Sequence, residues 1–253
     1  MLKFWILLAM AGMLFPLGAM ASQAFPTDTL ETDSGPVEIT LVGHGTLMLK
    51  FKNRVIHIDP WTRLADYTLM PKADLILVTH GHADHFDPTA IEDLRKDNTQ
   101  ILLPAVCAEG IKDGKVMANG EIVHMDGLII EAIPAYNIVN MRKENTPYHP
   151  KGEGNGYVVT FSDKRVYVAG DTENTPEMKA LKNIDAAFLP MNLPYTMSPE
   201  MAADAIKAFQ PKIVYPYHYG AETMAGMGDM LKTELEQMMK DEKGSEIRVP
   251  GLK

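Results

Sequence analysis

The amino-acid sequence predicts an α+β fold, a four-layer αββα sandwich in which two β-sheets pack face to face beneath outer helices. The chain has 253 residues, 46% of them hydrophobic, so it can bury one substantial core. Strand-like apolar runs and short helical patterns alternate in two halves of similar style, which suits two sheets with helices on their outer faces. One domain is the simpler interpretation of this length.

The first half opens with three strand patterns separated by short turns. A fourth apolar run precedes a histidine-rich turn, and Asp87 with Pro88 then marks the start of a helix extending to about Lys96. A short helix is predicted near residues 105–110. The predicted strands of this half are Val37 to Val42, Thr46 to Phe51, Arg54 to Ile58, Leu75 to Val78 and Ile101 to Leu103.

The second half repeats this style, with a hairpin around Ser162-Asp163-Lys164. Helices are predicted near residues 177–181 and from Ser198 to about Phe209. A C-terminal helix is predicted from a core-facing stripe of Met230, Leu231, Leu235, Met238 and Met239. The predicted strands are Glu121 to His124, Leu128 to Ile133, Gly156 to Phe161, Arg165 to Val168, Ala186 to Leu189 and Ile213 to Tyr215.

The turn after the apolar run Leu75 to Val78 carries the clearest chemical signal. It contains three histidines and one aspartate within six residues, His80, His82, Asp84 and His85. Imidazoles and a carboxylate at the end of a buried strand can be directed at one point by a tight turn. Because His80 and His82 flank a glycine, they can converge on one ion, while Asp84 and His85 reach a second ion nearby.

The motif His80-x-His82-x-Asp84-His85 resembles the signature of the metallo-β-lactamase superfamily. Further segments extend the resemblance over almost the whole mature chain, in order Gly43-His44, Ile58-Asp59-Pro60, Gly170-Asp171-Thr172 and Pro216 to Gly220. Gly43-His44, with Pro134 to Asn137 and His149 to Gly152, is similar to the branch that includes ascorbate-phosphate lactonase-like and N-acylphosphatidylethanolamine phospholipase D-like proteins. The resemblance implies the αββα fold and a metal-dependent hydrolase.

The resemblance also implies two zinc ions per chain. His80 and His82 would hold the first zinc, and Asp171 would bridge both ions. The second zinc would be held by Asp84, His85 and His218. Water between two cations loses its proton near neutral pH, so a metal-bound hydroxide is the expected nucleophile. Asp84 would take up the proton, and Asp59 would fix a loop or a ligand imidazole.

One ligand position departs from the family pattern. The family usually places a histidine after a mid-chain strand, where this chain has Asn137. His149 from the following loop could supply the missing imidazole, because a twelve-residue excursion can fold back. Asn137 could instead leave the first zinc underligated. We further expect four residues to face the substrate, although packing is the commoner role for tyrosines: His44, Tyr136, Asn137 and Tyr219.

The N-terminal segment predicts where the protein is located, and the net charge argues against a nucleic-acid partner. Lys3, an apolar stretch and Ala19-Met20-Ala21 form a secretory signal peptide over residues 1–21, with the hydrolase domain over residues 22–253. A secreted or periplasmic protein is expected, without stable membrane insertion. The formal net charge of −9 and the lack of clustered basic residues argue against nucleic acid. The single cysteine, Cys107, is expected to be a buried free thiol.

The leading hypothesis is an exported zinc-dependent hydrolase. Its substrate would be an ester, lactone, amide or phosphodiester of a small molecule or lipid. One alternative keeps the fold but makes the protein an iron-dependent thiol-persulfide oxygenase. A second alternative is a non-catalytic metal-binding module. The motif specifies mechanism before substrate, so β-lactam hydrolysis is not implied by the superfamily resemblance alone.

Overall fold

The computed structural model describes residues 24–219, 227–242 and 244–249. The predicted signal peptide over residues 1–21 lies outside the described residues and stays a prediction. In the described part of the chain, none of the helices has the length and apolar character that a membrane span requires.

The first sheet contains seven strands that neighbour one another in chain order. The first four strands pair antiparallel, and the last three continue the sheet in parallel. The strands are β1 (Thr27–Leu30), β2 (Val37–Gly43), β3 (Thr46–Phe51), β4 (Arg54–Ile58), β5 (Leu75–Leu77), β6 (Gln100–Leu103) and β7 (Lys115–Val116).

The second sheet also has seven strands and the same sequence of pairings, three antiparallel and then three parallel. Its strands are β8 (Ile122–Met125), β9 (Leu128–Ala135), β12 (Gly154–Phe161), β13 (Lys164–Val168), β14 (Ala186–Pro190), β15 (Ile213–Tyr217) and β16 (Glu246–Ile247). Between β9 and β12 the chain forms a separate small hairpin of β10 (Met141–Lys143) and β11 (Thr146–Pro147).

In the described ranges, four α-helices lie outside the two sheets. They are α1 (Pro88–Leu94), α2 (Pro176–Lys179), α3 (Pro199–Phe209) and α4 (Met227–Met238). The first three start with proline after a side chain that accepts backbone N–H bonds, namely Asp87, Thr175 and Ser198. Of the predicted stripe on α4 and its end, Leu231, Leu235 and Met239 are buried, whereas Met230 is exposed.

Three apolar clusters separate the four layers. One lies between the sheets, where Phe51 meets Phe161 edge-on at 5.4 Å. Another joins the outer face of the second sheet to α2, α3 and α4, and the third joins the outer face of the first sheet to α1. Buried Cys107 belongs to this last cluster, as expected. The predicted α+β sandwich is confirmed.

The predicted elements are present, and five short strands were missed. The missed strands are β1, β7, β10, β11 and β16. They have two to four residues, and all except β1 offer too few positions for an alternating pattern. The short helix expected near residues 105–110 is a 3-10 turn at Ala105–Cys107. The helix expected to reach Lys96 ends at Leu94.

Candidate metal centre

The strand ends of both sheets bring the polar residues of interest to one place. His44 follows β2, Asp59 follows β4 and the turn from His80 to His85 follows β5. From the second sheet, Asp171 follows β13 and His218 follows β15. Asn137 follows β9 and His149 follows the small hairpin. Residues separated by more than 130 positions in the chain therefore meet in one buried cluster.

The first group of candidate ligands consists of three imidazoles. His80, His82 and His149 present nitrogens that all lie within 4.8 Å of one another. The His80 Nε2 atom is 3.1 Å from His82 Nδ1. The His149 Nε2 atom is 3.3 Å from Asp171 Oδ2. The structure thus brings the imidazole of His149, which follows the small hairpin, into the group that lacks a third histidine because this chain has Asn137 where the family usually has one.

The second group consists of His85, His218 and Asp84, joined by His44. His85 Nε2 and His218 Nε2 are 3.0 Å apart, and each is 3.7 Å from Asp84 Oδ2. His44 Nε2 contacts the same carboxylate oxygen at 2.9 Å, and its ring lies 3.8 Å from that of His218, centroid to centroid.

Asp171 lies between the two groups. Its Oδ1 atom is 3.4 Å from both His85 Nε2 and His218 Nε2, while its Oδ2 atom faces His149 and His80. Among the described residues, Asp171 Oδ1 and His149 Nε2 are buried polar atoms without a hydrogen-bond partner. Buried polar atoms left unpaired are costly, and imidazole and carboxylate donors at these spacings suit divalent cations. The residues present therefore fit a metal centre.

Three further side chains hold the imidazoles from behind. Asp59 Oδ2 accepts a hydrogen bond from His85 Nδ1 at 2.7 Å, and Asp59 Oδ1 accepts one from the Thr79 backbone N–H at 2.8 Å. The Thr79 hydroxyl donates to Asp59 Oδ2 at 2.6 Å and lies 3.0 Å from His80 Nδ1. Asn137 Oδ1 accepts from His149 Nδ1 at 2.7 Å. In each case the Nε2 atom is left to face the cluster.

Comparison with known proteins identifies the family. The model of the Beta-lactamase superfamily domain matches residues 38–218, which is more than half of the chain. The chain belongs to this superfamily. A metal-dependent hydrolase of the UPF0173 group from Nanoarchaeum equitans is 33% identical over 191 residues, covering 72% of this chain and 84% of the relative.

Solved structures agree with this assignment. The crystal structure described as a metal-dependent hydrolase from Parabacteroides distasonis is 46% identical, with a TM-score of 0.81 over 91% of this chain and 100% of that chain. A metallo hydrolase from Ignicoccus hospitalis, Igni18, is 27% identical, with a TM-score of 0.67 over 84% of this chain and 94% of that one. The chain is a metal-dependent hydrolase of the superfamily. The finer resemblance to lactonase-like and phospholipase D-like proteins stays a prediction.

Burial and neighbouring charges shift the pKa values of three groups in the centre. Burial would lower the pKa of His85, but the nearby carboxylates of Asp171, Asp59 and Asp84 raise it to about 9. Burial and the neighbouring His85 hold the pKa of His80 well below its usual value. Burial would raise the pKa of Asp171, but the surrounding imidazoles hold it well below its ordinary range. These shifts favour an ionised carboxyl group on Asp171 and a protonated ring on His85.

Asp59 lies behind the candidate ligands and not at the cavity. It is fully buried behind His85 and Thr79 and does not line the cavity at the centre. Burial raises the pKa of its carboxyl group, against the opposing effect of His85. Asp59 lies where a residue that fixes a ligand imidazole is expected, because it orients His85 directly and His80 through Thr79, and a catalytic role for it stays a prediction.

Two of the residues expected to face the substrate, Asn137 and Tyr136, have polar groups that bond to other parts of the protein. Asn137 is buried, and its amide group uses its full hydrogen-bonding capacity on His149, Glu173 and Tyr195. The Tyr136 hydroxyl donates to Glu177 and accepts from Lys151 at the outer side of its loop. Both polar groups therefore have partners other than a substrate, and substrate binding by these residues stays a prediction.

The other two expected contacts differ from each other. Tyr219 is partly buried against the apolar cluster beneath α3 and α4, and its expected substrate contact stays a prediction. His44 does reach the centre, through Asp84.

A cavity of about 220 Å³ opens onto the first group of imidazoles. Besides the candidate ligands, its lining includes the side chains of Val106, Tyr148 and Glu153. The Tyr148 ring contacts Tyr195 edge-on, with 5.0 Å between centroids. Sequence reasoning missed these residues. Tyr148 precedes His149 directly, so its proximity could have been inferred from the predicted return of that loop.

Proposed function

We propose that this metal-dependent hydrolase binds two zinc ions and hydrolyses an ester, lactone, amide or phosphodiester bond in a small molecule or lipid. One observation carries the proposal. The buried Asp171 directs one oxygen to His85 and His218 and its other oxygen to His149 and His80. A carboxylate in this position, with an unpaired buried oxygen, suits a bridge between two cations.

The two groups of side chains would hold one ion each. His80, His82 and His149 would hold the first ion, and Asp171 would complete both sites. His85, His218 and Asp84 would hold the second. When bound, two such cations lower the pKa of a shared water towards neutrality and offset the negative charge that develops on the substrate. Nitrogen-rich donor sets with one or two carboxylates are typical of zinc.

Asp84 is the carboxylate best placed to move a proton. Its side chain is 32% exposed, whereas those of Asp171 and Asp59 are 4% and 0% exposed. Asp84 Oδ2 is within hydrogen-bond distance of His44 Nε2, at 2.9 Å. His44, whose ring borders Trp61, orients this carboxylate by donating from its Nε2 atom.

The cavity limits the part of the substrate that enters. A volume of about 220 Å³ accommodates a small group at the reacting end. Val106 and Tyr195 are exposed, and Tyr148 joins Tyr195 to the cavity lining. An apolar group next to the scissile bond could rest on this rim, which supports a small-molecule or lipid substrate. Export to the periplasm or beyond is part of the proposal and rests on the N-terminal segment of the sequence.

The experiment measures metal content and hydrolysis together. Wild type, Asp84→Ala and the control Asp97→Asn, an exposed carboxylate away from the centre, are assayed with chromogenic esters, lactones, phosphodiesters and β-lactams. We expect two zinc ions per wild-type chain, hydrolysis of at least one substrate class and a loss of about 100-fold or more in Asp84→Ala. Equal activity of Asp84→Ala and wild type, or purification without zinc, would contradict the proposal. Bound iron would favour the oxygenase alternative.

A further inference from the structure

Glu173 is a fully buried carboxylate close to the centre that binds none of its candidate ligands. It follows Asp171 by two residues in the loop after β13. Its Oε2 atom accepts the backbone N–H groups of Ile138 and Val139, each at 2.7 Å. Its Oε1 atom accepts the Asn140 N–H at 2.7 Å and the Asn137 side-chain amide at 3.1 Å.

The contact with Asn137 fixes which way that amide points. The Asn137 Nδ2 group donates to Glu173 Oε1 and to the Tyr195 carbonyl oxygen, at 2.9 Å. Both Glu173 oxygens already accept backbone N–H groups and a carbonyl can only accept, so the reversed amide would place its oxygen against two acceptors. The Asn137 Oδ1 atom must therefore face the opposite side, where it accepts from the backbone N–H and the Nδ1 atom of His149.

This orientation determines the tautomer of His149. Because Asn137 Oδ1 is an acceptor, the Nδ1 atom of His149 must carry the proton, and its Nε2 atom keeps a free lone pair. That Nε2 atom is buried, has no hydrogen-bond partner within the described residues and faces Asp171 at 3.3 Å. This is the form of imidazole that a divalent cation binds.

We propose that Glu173, acting through Asn137, positions His149 and selects its metal-binding tautomer. The loop that carries Asp171 and Glu173 is thereby connected with the loop that carries His149. The connection runs through Asn137, which contacts both Glu173 and His149. Asparagine suits this position because it accepts on one side and donates on the other. The inference rests on the proposed function, in which His149 holds the first metal ion.

Variants of both relay residues test the proposal. Asn137→Asp keeps an acceptor for His149 but sets a second buried carboxylate against Glu173 and an oxygen against the Tyr195 carbonyl. Glu173→Gln keeps the size of the side chain but must set its NH2 group against backbone N–H groups that Glu173 accepts, so it disturbs the partner of Asn137. Asn137→Ala removes the acceptor without adding charge. Asp185→Asn is the control, because Asp185 is also a buried carboxylate that accepts a backbone N–H, that of Arg165, but belongs to no candidate metal group.

The readouts are zinc affinity by chelator competition and the ¹⁵N NMR signals of the histidine rings. We expect Asn137→Asp and Asn137→Ala to bind one of two zinc ions about 10- to 100-fold more weakly, and Asn137→Ala also to lose the His149 Nδ1–H signal. Glu173→Gln should weaken binding of the same ion, and Asp185→Asn should keep both ions. Undiminished affinity in Asn137→Ala, or in Glu173→Gln, would overturn the relay.

The outcomes separate this inference from the proposed function. If wild type fails to bind two zinc ions, the proposed function fails. If wild type binds two and all variants do so equally well, the relay alone fails. If Asn137→Asp does not fold, Asn137→Ala and Glu173→Gln decide, because neither places two carboxylates side by side.

Discussion

At the scale of single residues, the centre depends on groups that hold imidazoles as much as on the imidazoles themselves. His80, His82, Asp84 and His85 could be predicted because they lie within six residues after an apolar strand. Asp59 was a visible candidate, but its place behind the ligands depends on pairing of β4 with β5. Glu173 and Thr79 gave no sequence signal, since their roles arise from contacts between separate loops.

The Thr79 hydroxyl can be removed with little change in shape. Thr79→Val keeps the branched side chain and the backbone N–H bond to Asp59 but deletes the oxygen next to His80 Nδ1. We expect about 10-fold weaker binding of one zinc ion, measured by chelator competition, because the His80 ring loses its partner. The control Thr79→Ser retains the hydroxyl and should bind both ions as wild type does. Equal weakening in both variants would mean that packing, not the hydroxyl, matters.

Metal binding should release a proton from His85. Carboxylates raise the pKa of this buried imidazole to about 9 in the metal-free protein, so at pH 7 it is protonated. A metal ion requires the neutral ring, so zinc affinity rises as the pH increases towards 9 and falls as the pH decreases. Calorimetry at pH 7 in buffers of different ionisation enthalpy should show at least one proton released per chain. Affinity that decreases between pH 6 and pH 8 would contradict this assignment.

At the scale of elements, capping signals predicted helix starts better than hydrophobic pattern predicted short strands. Asp87-Pro88 and Ser198-Pro199 both begin helices where expected. The hairpin of β10 and β11 was missed, although the return of its chain to the centre was predicted as one of two alternatives. Met141 to Lys143 are exposed, so no apolar alternation marks this hairpin.

Asp87 follows the histidine turn directly. Its side chain connects helix α1 with the loop before β5. Its Oδ1 atom accepts from the N–H groups of Thr89 and Ala90, and its Oδ2 atom accepts from Thr62 at 2.9 Å and 2.6 Å. Asp87→Ala should lower the free energy of unfolding by about 1 to 2 kcal/mol, measured by urea denaturation. The control Asp97→Ala, at an exposed position, should change it by less than about 0.5 kcal/mol. Equal effects of the two variants would argue against the cap.

At the scale of the whole molecule, two sheets with the same order of pairings enclose one apolar layer and form the centre at one edge. The two halves were visible in the sequence as similar runs of strands. Their contacts were not, because Tyr157 donates to the Val78 carbonyl oxygen and Tyr215 to Asp28 across separations of 79 and 187 residues. Such pairs follow from packing of the sheets and leave no local pattern.

Asp28, in β1 of the first sheet, contacts residues of the second half that lie far along the chain. Its Oδ2 atom accepts from the Tyr215 hydroxyl at 2.7 Å and from Arg248 at 3.1 Å. Burial would raise the pKa of Asp28, but hydrogen bonds from Tyr215 and the Thr29 N–H and the charge of Arg248 together lower it. The ionised carboxylate thus stabilises the fold above its unfolded-state pKa of about 3.9, and this stabilisation is lost as the pH falls through the folded-state value.

Asp28→Asn should therefore be less stable than wild type at pH 7 and pH 5, by about 1 kcal/mol in urea denaturation. The difference should shrink as the pH decreases below about 4, because the wild-type carboxylate then takes up a proton. A difference that grows in acid would show that Asp28 does not act through its charge. The control Asp97→Asn should show no such dependence on pH.

The most direct test of the account is anomalous scattering at the zinc edge from crystals of the purified wild-type protein. We predict two peaks, one beside His80, His82 and His149 and the other beside Asp84, His85 and His218, with Asp171 in contact with both. A single peak, the absence of any peak, or His149 turned away from the first site would contradict the central claim that two strand-end clusters form one bridged metal centre.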